Sequence, residues 1–349
     1  MVKTMPRRPD RPPPDSVAVF SYEEIIGDGL YKLPFVRMVR AAYPSARITW
    51  ITTRKTVYAG RLQSLMDGLI DEFRQDSGIG DSWSGLLKPL PFRERYGVII
   101  DTQTTLWRTL AIRRMPHDLF VSGALGFRLS DAKPPPSQIR PPHMVDRLAD
   151  LLRLAAGSVP KPEVGLRLPE PLVAKAGAAL PPGPCYVGLA PGAGKRVKCW
   201  PLDRFVAVAR AQVERGRVPV FILGPDELEW LPGLKEAVPA ALFPEQDREI
   251  WGDEFTPLRT IALARRFAAA VANDSGVSHM FGAADIPLVT LFGPTPAAKF
   301  QPKVTSGGAM TAQEFGGSDM TAIPAQAVIE RLDRLAINPI DQASYSKNS

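Results

Sequence analysis

The run NDSGVSH at residues 273–279 follows an apolar stretch and has the composition of a helix start. Ser275 is a suitable N-cap, which would leave the backbone N–H groups from Gly276 onwards free to face an anion such as a diphosphate. His279 would lie one turn further on the same face and could donate to a phosphate or sugar oxygen. The alternative is that Asp274 only caps the helix and that His279 is an ordinary surface histidine.

A second run, PGAGKRVKCWP at residues 191–201, places three basic side chains beside two glycines. It is not a nucleotide-hydrolysing P-loop, because Leu189 stands at the first glycine position of that motif and Arg196 stands where a hydroxyl should follow the lysine. The turn could instead neutralise a leaving diphosphate with backbone amides and ammonium groups. The residues that we assign to this role are Gly192, Lys195 and Lys198.

The sequence indicates no metal clamp for a diphosphate. Asp-x-Asp, a common source of carboxylate ligands for Mg²⁺ or Mn²⁺, occurs nowhere in the chain. We therefore predict neither a bound metal nor another cofactor.

A third candidate group is Asp28, which stands between two glycines at a predicted strand-to-helix turn. A carboxylate there could act as a general base that takes the proton from an attacking hydroxyl. The alternative is electrostatic, since an acidic side chain is favoured at any helix N-terminus.

The elements that would position these residues alternate between strand and helix. Apolar runs at residues 16–22, 47–52 and 96–101 are typical of buried parallel strands, and residues 30–43 repeat apolar side chains at helical spacing. A helix at 143–157 and a Pro-rich linker at 159–171 precede a second series. This series has strands at 185–190, 218–223, 267–274 and 286–292, and helices that begin at Pro201, near Asp226 and after Asp274.

This alternation predicts two Rossmann-like, doubly wound α/β domains. The predicted divisions are a flexible Pro-rich segment (1–15), an acceptor domain (16–165), a donor domain (166–338) and a tail (339–349). A cleft between two such domains, at the carboxyl ends of both sheets, is the expected ligand site.

Composition narrows the class of protein further. The 349 residues include only two cysteines, contain no apolar stretch long enough to span a bilayer and begin without the apolar core of a secretory signal. We therefore expect a cytoplasmic protein.

The net charge of +7 lies wholly in residues 1–160, which hold 23 basic and 16 acidic side chains, whereas the remainder holds 20 of each. An anionic partner is therefore expected to bind the first half, unless the excess is only solvated surface.

Taken in order, these segments resemble glycosyltransferase family 9, the heptosyltransferases that build the lipopolysaccharide inner core. The resemblance extends over residues 16–336. The matching motifs are Gly27-Asp28-Gly29-Leu30 with Pro34, Asp101-Thr102-Gln103 with Arg108-Thr109, Pro191-Gly192, Lys198-Cys199-Trp200-Pro201, Gly224-Pro225-Asp226-Glu227, Asp274-Ser275-Gly276 with His279, and Phe292-Gly293-Pro294-Thr295.

The resemblance implies a GT-B fold, in which two Rossmann-like domains face each other across a cleft, and metal-independent transfer of a sugar by direct displacement. It implies a nucleotide-sugar donor, with ADP-heptose as the expected one, and an anionic lipid-linked saccharide as acceptor. The implied roles are Asp28 as base, Lys198 on the donor phosphate, Glu227 on the ribose, Thr295 near the nucleotide, and Asp274, Ser275, Gly276 and His279 on the transferred sugar and diphosphate.

Three segments depart from the family pattern. Residues 23–26 are acidic and apolar where the family has small hydroxyl residues, Gly29 replaces an apolar residue, and the stretch after Thr295 lacks the usual Asp-Pro. These departures bear on which acceptor and which donor sugar the chain uses.

The expected acceptor residues are mostly basic and stand in segments that follow strands of the first domain. Guanidinium groups bind phosphates and sugar carboxylates in a bidentate manner, and the same surface could contact anionic lipid at the inner face of the cytoplasmic membrane. The residues are Arg54, Lys55, Arg61, Gln103, Arg108, Arg113 and Arg114.

Three other functions compete with sugar transfer. A sugar-nucleotide epimerase would need catalytic histidines, and the chain has only three histidines, His117, His143 and His279. A saccharide-binding module without turnover is the non-enzymatic alternative. Nucleic-acid binding is not predicted, because the basic and aromatic cluster at residues 107–114 is too small.

Overall fold

The computed structural model describes residues 13–160, 166–252 and 255–336 of the chain. The predicted tail 339–349, most of the predicted N-terminal segment 1–15 and the middle of the predicted linker lie outside these ranges. The chain divides into two compact units, Met1–Arg167 and Leu168–Ser349.

The first unit is a parallel sheet with helices between its strands. In its described part the strand order is β3-β2-β1-β4-β5, and every neighbouring pair is parallel. The elements are β1 (Ser16–Ser21), α1 (Ile26–Ala42), β2 (Arg47–Thr52), β3 (Glu72–Arg74), β4 (Tyr96–Asp101), α2 (Leu106–Arg113), β5 (His117–Ser122) and α3 (Met144–Ala156).

Strand β1 is the centre of this sheet, because Ala18 pairs with Thr49 of β2 on one side and with Ile99 of β4 on the other. Val17–Ser21 are buried throughout, as expected for a strand covered on both faces. The chain adds strands outwards from β1 to β3 and then crosses to β4. The strand order therefore reverses between β1 and β4, where parallel sheets commonly bind ligands at their carboxyl ends.

The second unit has a different strand order. Its described strands run β10-β9-β8-β6-β7, again all parallel, and the order reverses between β6 and β8. The elements are α4 (Glu170–Ala179), β6 (Tyr186–Ala190), α5 (Leu202–Glu214), β7 (Val218–Phe221), α6 (Leu231–Ala237), α7 (Arg248–Trp251), α8 (Pro257–Ala264), β8 (Phe267–Asn273), α9 (Gly276–Ala283), β9 (Leu288–Phe292), α10 (Ala297–Phe300), β10 (Gly307–Thr311) and α11 (Ala325–Ala336).

Alternate residues of β6 enter two separate cores, one on each face of this sheet. Val187 and Leu189 belong to a cluster that includes residues of α5 and α11, whereas Tyr186 and Ala190 belong to a cluster that includes residues of α4, α8 and α9. Both faces are therefore covered by helices. The prediction of two Rossmann-like, doubly wound sheets is confirmed.

The structure corrects two local predictions. The predicted linker ends inside α4, which begins at Glu170 with a proline at the second helical position, where proline is tolerated. The helix predicted from about Asp226 is a 3-10 turn, Pro225–Trp230, followed by α6.

Candidate functional site

Asp28 lies in the first turn of α1, beyond the carboxyl end of the central strand β1. Its side chain reaches solvent. Desolvation by the surrounding protein nevertheless raises the pKa of this carboxyl above its ordinary value, and the negative charges of Glu24 and Glu23 raise it further, while Lys32 opposes them. A carboxylate with a raised pKa at this edge of the sheet is a stronger base than an ordinary exposed aspartate.

A buried ion pair between Glu24 and Lys32 flanks Asp28 in the chain. The Glu24 side chain is fully buried and accepts a hydrogen bond from Lys32 Nζ at 3.0 Å. Lys32 Nζ also donates to Ser21 Oγ at 2.8 Å. Burial would raise the Glu24 pKa, but the Lys32 charge and the hydroxyl donors lower it, so the group stays ionised. Glu24 was noticed in the sequence only as a departure from the family pattern.

Arg54, Gln103 and Arg108 come together around Tyr22, the residue that follows β1. The Arg108 guanidinium carbon lies 3.4 Å from the Tyr22 ring centroid, and Arg54 Nε donates to the Tyr22 hydroxyl at 2.8 Å. Arg108 Nη1 donates weakly to Gln103 Oε1 at 3.4 Å. Tyr22 was not singled out from the sequence, since a single tyrosine after a strand carries no distinguishing spacing.

Arg54 and Arg108 differ in how their charge is balanced. Arg54 forms an ion pair with Asp81 at 2.9 Å. In the described part of the chain, Arg108 has no carboxylate within ion-pair distance, and its Nε is buried without a hydrogen-bond partner. A guanidinium that is stacked on an aromatic ring but lacks a counter-charge can accept an anionic ligand.

A buried carboxylate, Asp101, anchors the loop that carries Gln103. It accepts hydrogen bonds from the Gln103 backbone N–H at 2.8 Å, from Thr109 Oγ1 at 2.7 Å and from Ser122 Oγ at 2.9 Å. Burial raises the pKa of Asp101 to about 6, although these donors act in the opposite direction. Gln103 and the start of α2 are therefore fixed to the end of β4.

The remaining predicted acceptor residues are dispersed. Lys55 and Arg61 are exposed on the segment after β2, and the Lys55 carbonyl accepts from the Glu24 backbone N–H at 3.4 Å. Arg113 forms an ion pair with Asp131 at 2.7 Å, and Arg114 donates to the Lys88 carbonyl. Both stand at the end of α2, about 12 Å along the helix from its start near Gln103. The structure does not bring them to the group around Tyr22.

In the second unit, Lys198 and Asp274 meet at the point where the strand order reverses. Lys198 follows β6 in the chain, Asp274 follows β8, and Lys198 Nζ donates to Asp274 Oδ2 at 2.7 Å. The Asp274 side chain is almost buried, whereas that of Lys198 is 29% exposed. The ammonium group is thus fixed by its counter-ion, on a side chain that is partly exposed to solvent.

Asn273 fixes the loop that carries Lys198. Its Oδ1 accepts from the Trp200 backbone N–H at 3.1 Å, and its Nδ2 donates to the Pro191 carbonyl at 2.7 Å. One fully buried side chain therefore binds both ends of the loop between β6 and α5. The sequence gives Asn273 no role by itself; its position directly before Asp274-Ser275-Gly276 is the signal that could have identified it.

Ser275 precedes the first helical residue of α9, as predicted. Ser278 Oγ donates to the Ser275 carbonyl at 2.8 Å and lies 3.5 Å from the Ser275 backbone N–H. The Ser275 Oγ is buried with no hydrogen-bond partner among the described residues. Gly276 begins the helix, and His279 lies partly exposed on its second turn. This end of α9 offers a hydroxyl and backbone N–H groups to an anion.

Glu227 connects the loops after β6 and β7. Its Oε2 accepts from the Gly224 backbone N–H at 2.9 Å, and burial raises its pKa above the ordinary value. A Cβ atom at Gly192 would lie 2.3 Å from Glu227 Oε1, so any other residue there would displace this carboxylate. Glycine at position 192 therefore leaves the space that the Glu227 carboxylate occupies.

The other predicted donor residues lie in the same group of loops. Lys195 is exposed in the turn after β6, and its carbonyl accepts from the Lys198 backbone N–H at 2.9 Å. Thr295 follows β9 and is partly exposed. The loops after β6, β7, β8 and β9 thus carry all of the predicted donor residues at one edge of the sheet.

The model of the family "Glycosyltransferase family 9 (heptosyltransferase)" matches residues 92–315, which is more than half of the chain. The chain belongs to glycosyltransferase family 9. The resemblance recognised in the sequence is therefore confirmed, and the protein is a glycosyltransferase.

Solved structures of family 9 share its fold. A family 9 glycosyltransferase from Veillonella parvula is 19% identical, with a TM-score of 0.69 over 93% of this chain and 97% of that one. Escherichia coli ADP-heptose LPS heptosyltransferase II is 20% identical (TM-score 0.63; 92% and 98% covered). Escherichia coli heptosyltransferase WaaC with ADP is 16% identical (TM-score 0.64; 92% and 100% covered). No curated protein matches the sequence.

These structures confirm the GT-B type of this family 9 chain. Among the described residues, no helix combines the length and the apolar character needed to cross a bilayer. Over the same residues, no group of three or more His, Cys, Asp or Glu side chains is placed to hold a metal ion.

Proposed function

We propose that this family 9 glycosyltransferase moves a heptose from ADP-heptose to an anionic lipid-linked saccharide such as the lipopolysaccharide inner core. The observation that carries the proposal is the Lys198–Asp274 pair beside the first turn of α9. It combines a fixed ammonium group with a helix N-terminus, and both favour a diphosphate. Two of the similar structures are an ADP-heptose heptosyltransferase and a heptosyltransferase with ADP.

In the proposed donor site, each group has one task. Lys198 and the backbone N–H groups from Gly276 onwards bind the diphosphate, with Lys195 adding a second positive charge. Glu227 accepts from a ribose hydroxyl, and Thr295 lies near the nucleotide. Asp274, the unpartnered Ser275 hydroxyl and His279 contact the transferred sugar.

The proposed reaction is a single displacement. Asp28 removes the proton from an acceptor hydroxyl, whose oxygen forms a bond to the anomeric carbon of the donor. The bond between that carbon and the diphosphate oxygen breaks, and ADP leaves with its additional negative charge on the phosphate. Lys198 and the α9 amides stabilise this charge, so we propose that transfer needs no metal ion.

The acceptor is proposed to bind the first unit through Arg108, Arg54 and Gln103, with Lys55 and Arg61 on the same segments as auxiliary positive charges. Arg108 is the principal anion ligand because it lacks a carboxylate partner. Phosphates and sugar carboxylates of an inner-core saccharide match such guanidinium groups. We further propose that the protein works in the cytoplasm, at the inner face of the cytoplasmic membrane where a lipid-linked acceptor is presented.

Incubation with radiolabelled ADP-heptose is expected to transfer label to an inner-core lipid saccharide, and equally well when EDTA is present. The reason is that Lys198 and backbone amides, rather than a cation, neutralise the departing diphosphate. A reaction without acceptor and a reaction with UDP-N-acetylglucosamine serve as controls. Loss of transfer in EDTA that Mn²⁺ restores would contradict the metal-independent mechanism, and isomerisation of a sugar nucleotide without acceptor would indicate an epimerase.

The KM for the acceptor is expected to rise steeply with ionic strength, while the KM for the donor changes much less. Salt screens the attraction between exposed or half-buried charges, and the excess of basic residues lies in residues 1–160. Arg108→Glu should reproduce the acceptor-selective loss at low salt. Arg114→Glu, the same charge change at the far end of α2, is the matched control and should have little effect. Equal salt effects on both substrates would show that the basic half is ordinary surface.

A further inference from the structure

We propose that Glu24 is a positioning residue that holds the Lys32 ammonium group away from Asp28 and thereby keeps the Asp28 carboxylate available as a base. This inference rests on the proposed role of Asp28. It assigns a function to the loop between β1 and α1, which carries Glu23 and Glu24.

The four-residue spacing of Asp28 and Lys32 favours an ion pair between them. Residues four apart on a helix are neighbours, and an aspartate followed by a lysine at this spacing commonly forms a salt bridge. Both residues lie in α1. In the described part of the chain, however, no ion pair joins them, and the ammonium group is bound to Glu24 and to Ser21 instead.

Glu24 is itself held firmly. Its second oxygen, Oε2, accepts from Trp50 Nε1 at 3.4 Å, and its backbone forms a parallel bridge with Thr56. Its carbonyl also accepts from the Val57 backbone N–H at 3.2 Å. A fully buried carboxylate that remains ionised is shielded from water, so its negative charge must be balanced by a nearby cation. It therefore attracts that cation strongly. This attraction favours the Lys32 conformation that contacts Glu24 over conformations that contact solvent or Asp28.

The charged and titratable groups around Asp28 come from three elements. Lys32 on α1 lowers the pKa of Asp28, and Glu23 and Glu24 in the preceding loop raise it. Tyr58, in the turn that follows β2, donates its hydroxyl to the Gly29 carbonyl at 2.7 Å, and burial keeps its pKa well above 10, so it is neutral. A direct bond from Lys32 would lower the basicity of Asp28 and occupy the oxygen that must accept the proton.

Glu24→Gln is expected to release Lys32 towards Asp28. The pKa of the Asp28 carboxyl, measured by ¹³C NMR against Asp28→Asn to assign the signal, should fall by about 1 or more, as is usual for a carboxylate that gains an adjacent cation. The acid limb of kcat/KM should move to lower pH with it, and kcat should fall because the base is weaker. Glu23→Gln, an exposed carboxylate in the same loop, is the matched control and should cause a smaller change.

The double variant Glu24→Gln/Lys32→Met separates this role from simple loss of structure. It removes the ammonium group that Glu24 restrains, so kcat should recover relative to Glu24→Gln alone. Because loss of the Glu24 charge by itself also lowers the pKa of Asp28, Lys32→Met is compared in both backgrounds, and it should raise the Asp28 pKa more in Glu24→Gln than in the wild-type protein. An unchanged Asp28 pKa in Glu24→Gln, or a double variant no better than the single one, would overturn the proposal. The NMR measurement needs no turnover, so its result stands apart from whether Asp28 is the catalytic base, which Asp28→Asn tests by itself.

Discussion

Replacing Asp28 with asparagine is expected to lower kcat by roughly 10²–10⁴-fold, the usual effect of removing a general base. The amide keeps the size of the side chain but cannot accept the proton of the attacking hydroxyl. Affinity for ADP, measured by calorimetry, should be nearly unchanged, because all of the proposed donor residues lie in the other unit. Asp67→Asn, a change at an exposed carboxylate of the same unit, is the control and should leave kcat unaffected.

The pH profile gives this experiment a second measurement. Asp28 acts as a base only when ionised, so kcat/KM of the wild-type enzyme should fall as the pH falls through a pKa that lies above the ordinary aspartate value. The residual activity of Asp28→Asn should lack this acid limb. If kcat and the limb were both preserved, Asp28 would be no more than a favourable charge at the start of α1.

Lys198→Met is expected to weaken ADP binding by roughly 10- to 100-fold, since a hydrogen bond to a charged group contributes about 1.5–3 kcal/mol. The change has two consequences. It removes the ammonium group that we propose binds the diphosphate, and it leaves the nearly buried Asp274 carboxylate unpaired where it would repel the phosphates. Turnover should fall as well, because charge on the leaving group increases in the transition state.

The matched control for Lys198→Met is Lys175→Met, which removes an exposed lysine from α4 of the same unit. Lys198→Met/Asp274→Asn should bind ADP better than Lys198→Met alone, because the repelling carboxylate is gone. ADP affinity that is unchanged in Lys198→Met would show that the donor diphosphate binds elsewhere.

The elements that could be predicted from the sequence are those with a continuous apolar signal. Strands β1, β2, β4, β6, β8 and β9 are buried on both faces and appear as such in the sequence. The three-residue strand Glu72–Arg74, the partly polar His117–Ser122 and the Gly-Gly start of Gly307–Thr311 were missed, because they are edge or near-edge strands whose pairing depends on tertiary contacts. Helix α11 carries a clear amphipathic pattern in the sequence and could have been predicted.

For the site, the sequence identified individual residues but not their partners. The motifs placed Lys198 and Asp274 in one functional group, yet their 2.7 Å contact depends on β6 and β8 being neighbours in the sheet, which spacing alone does not determine. The Glu24–Lys32 pair and the stacking of Arg108 on Tyr22 were missed for the same reason. Arg113 and Arg114 stand near Arg108 in the sequence, whereas α2 places them at its far end, away from the group around Tyr22.

The two hydrogen bonds of the Asn273 side chain have a thermodynamic consequence for ligand binding. They bind the first and last parts of the Pro191–Trp200 loop to the end of β8, so the loop loses its conformational freedom when the protein folds. Because this conformational entropy is already lost on folding, ligand binding loses little more of it. The favourable contacts that a ligand makes with Lys198 are therefore offset only slightly by ordering of the loop. The proposed donor site is thus preorganised by an amide that need not contact the nucleotide.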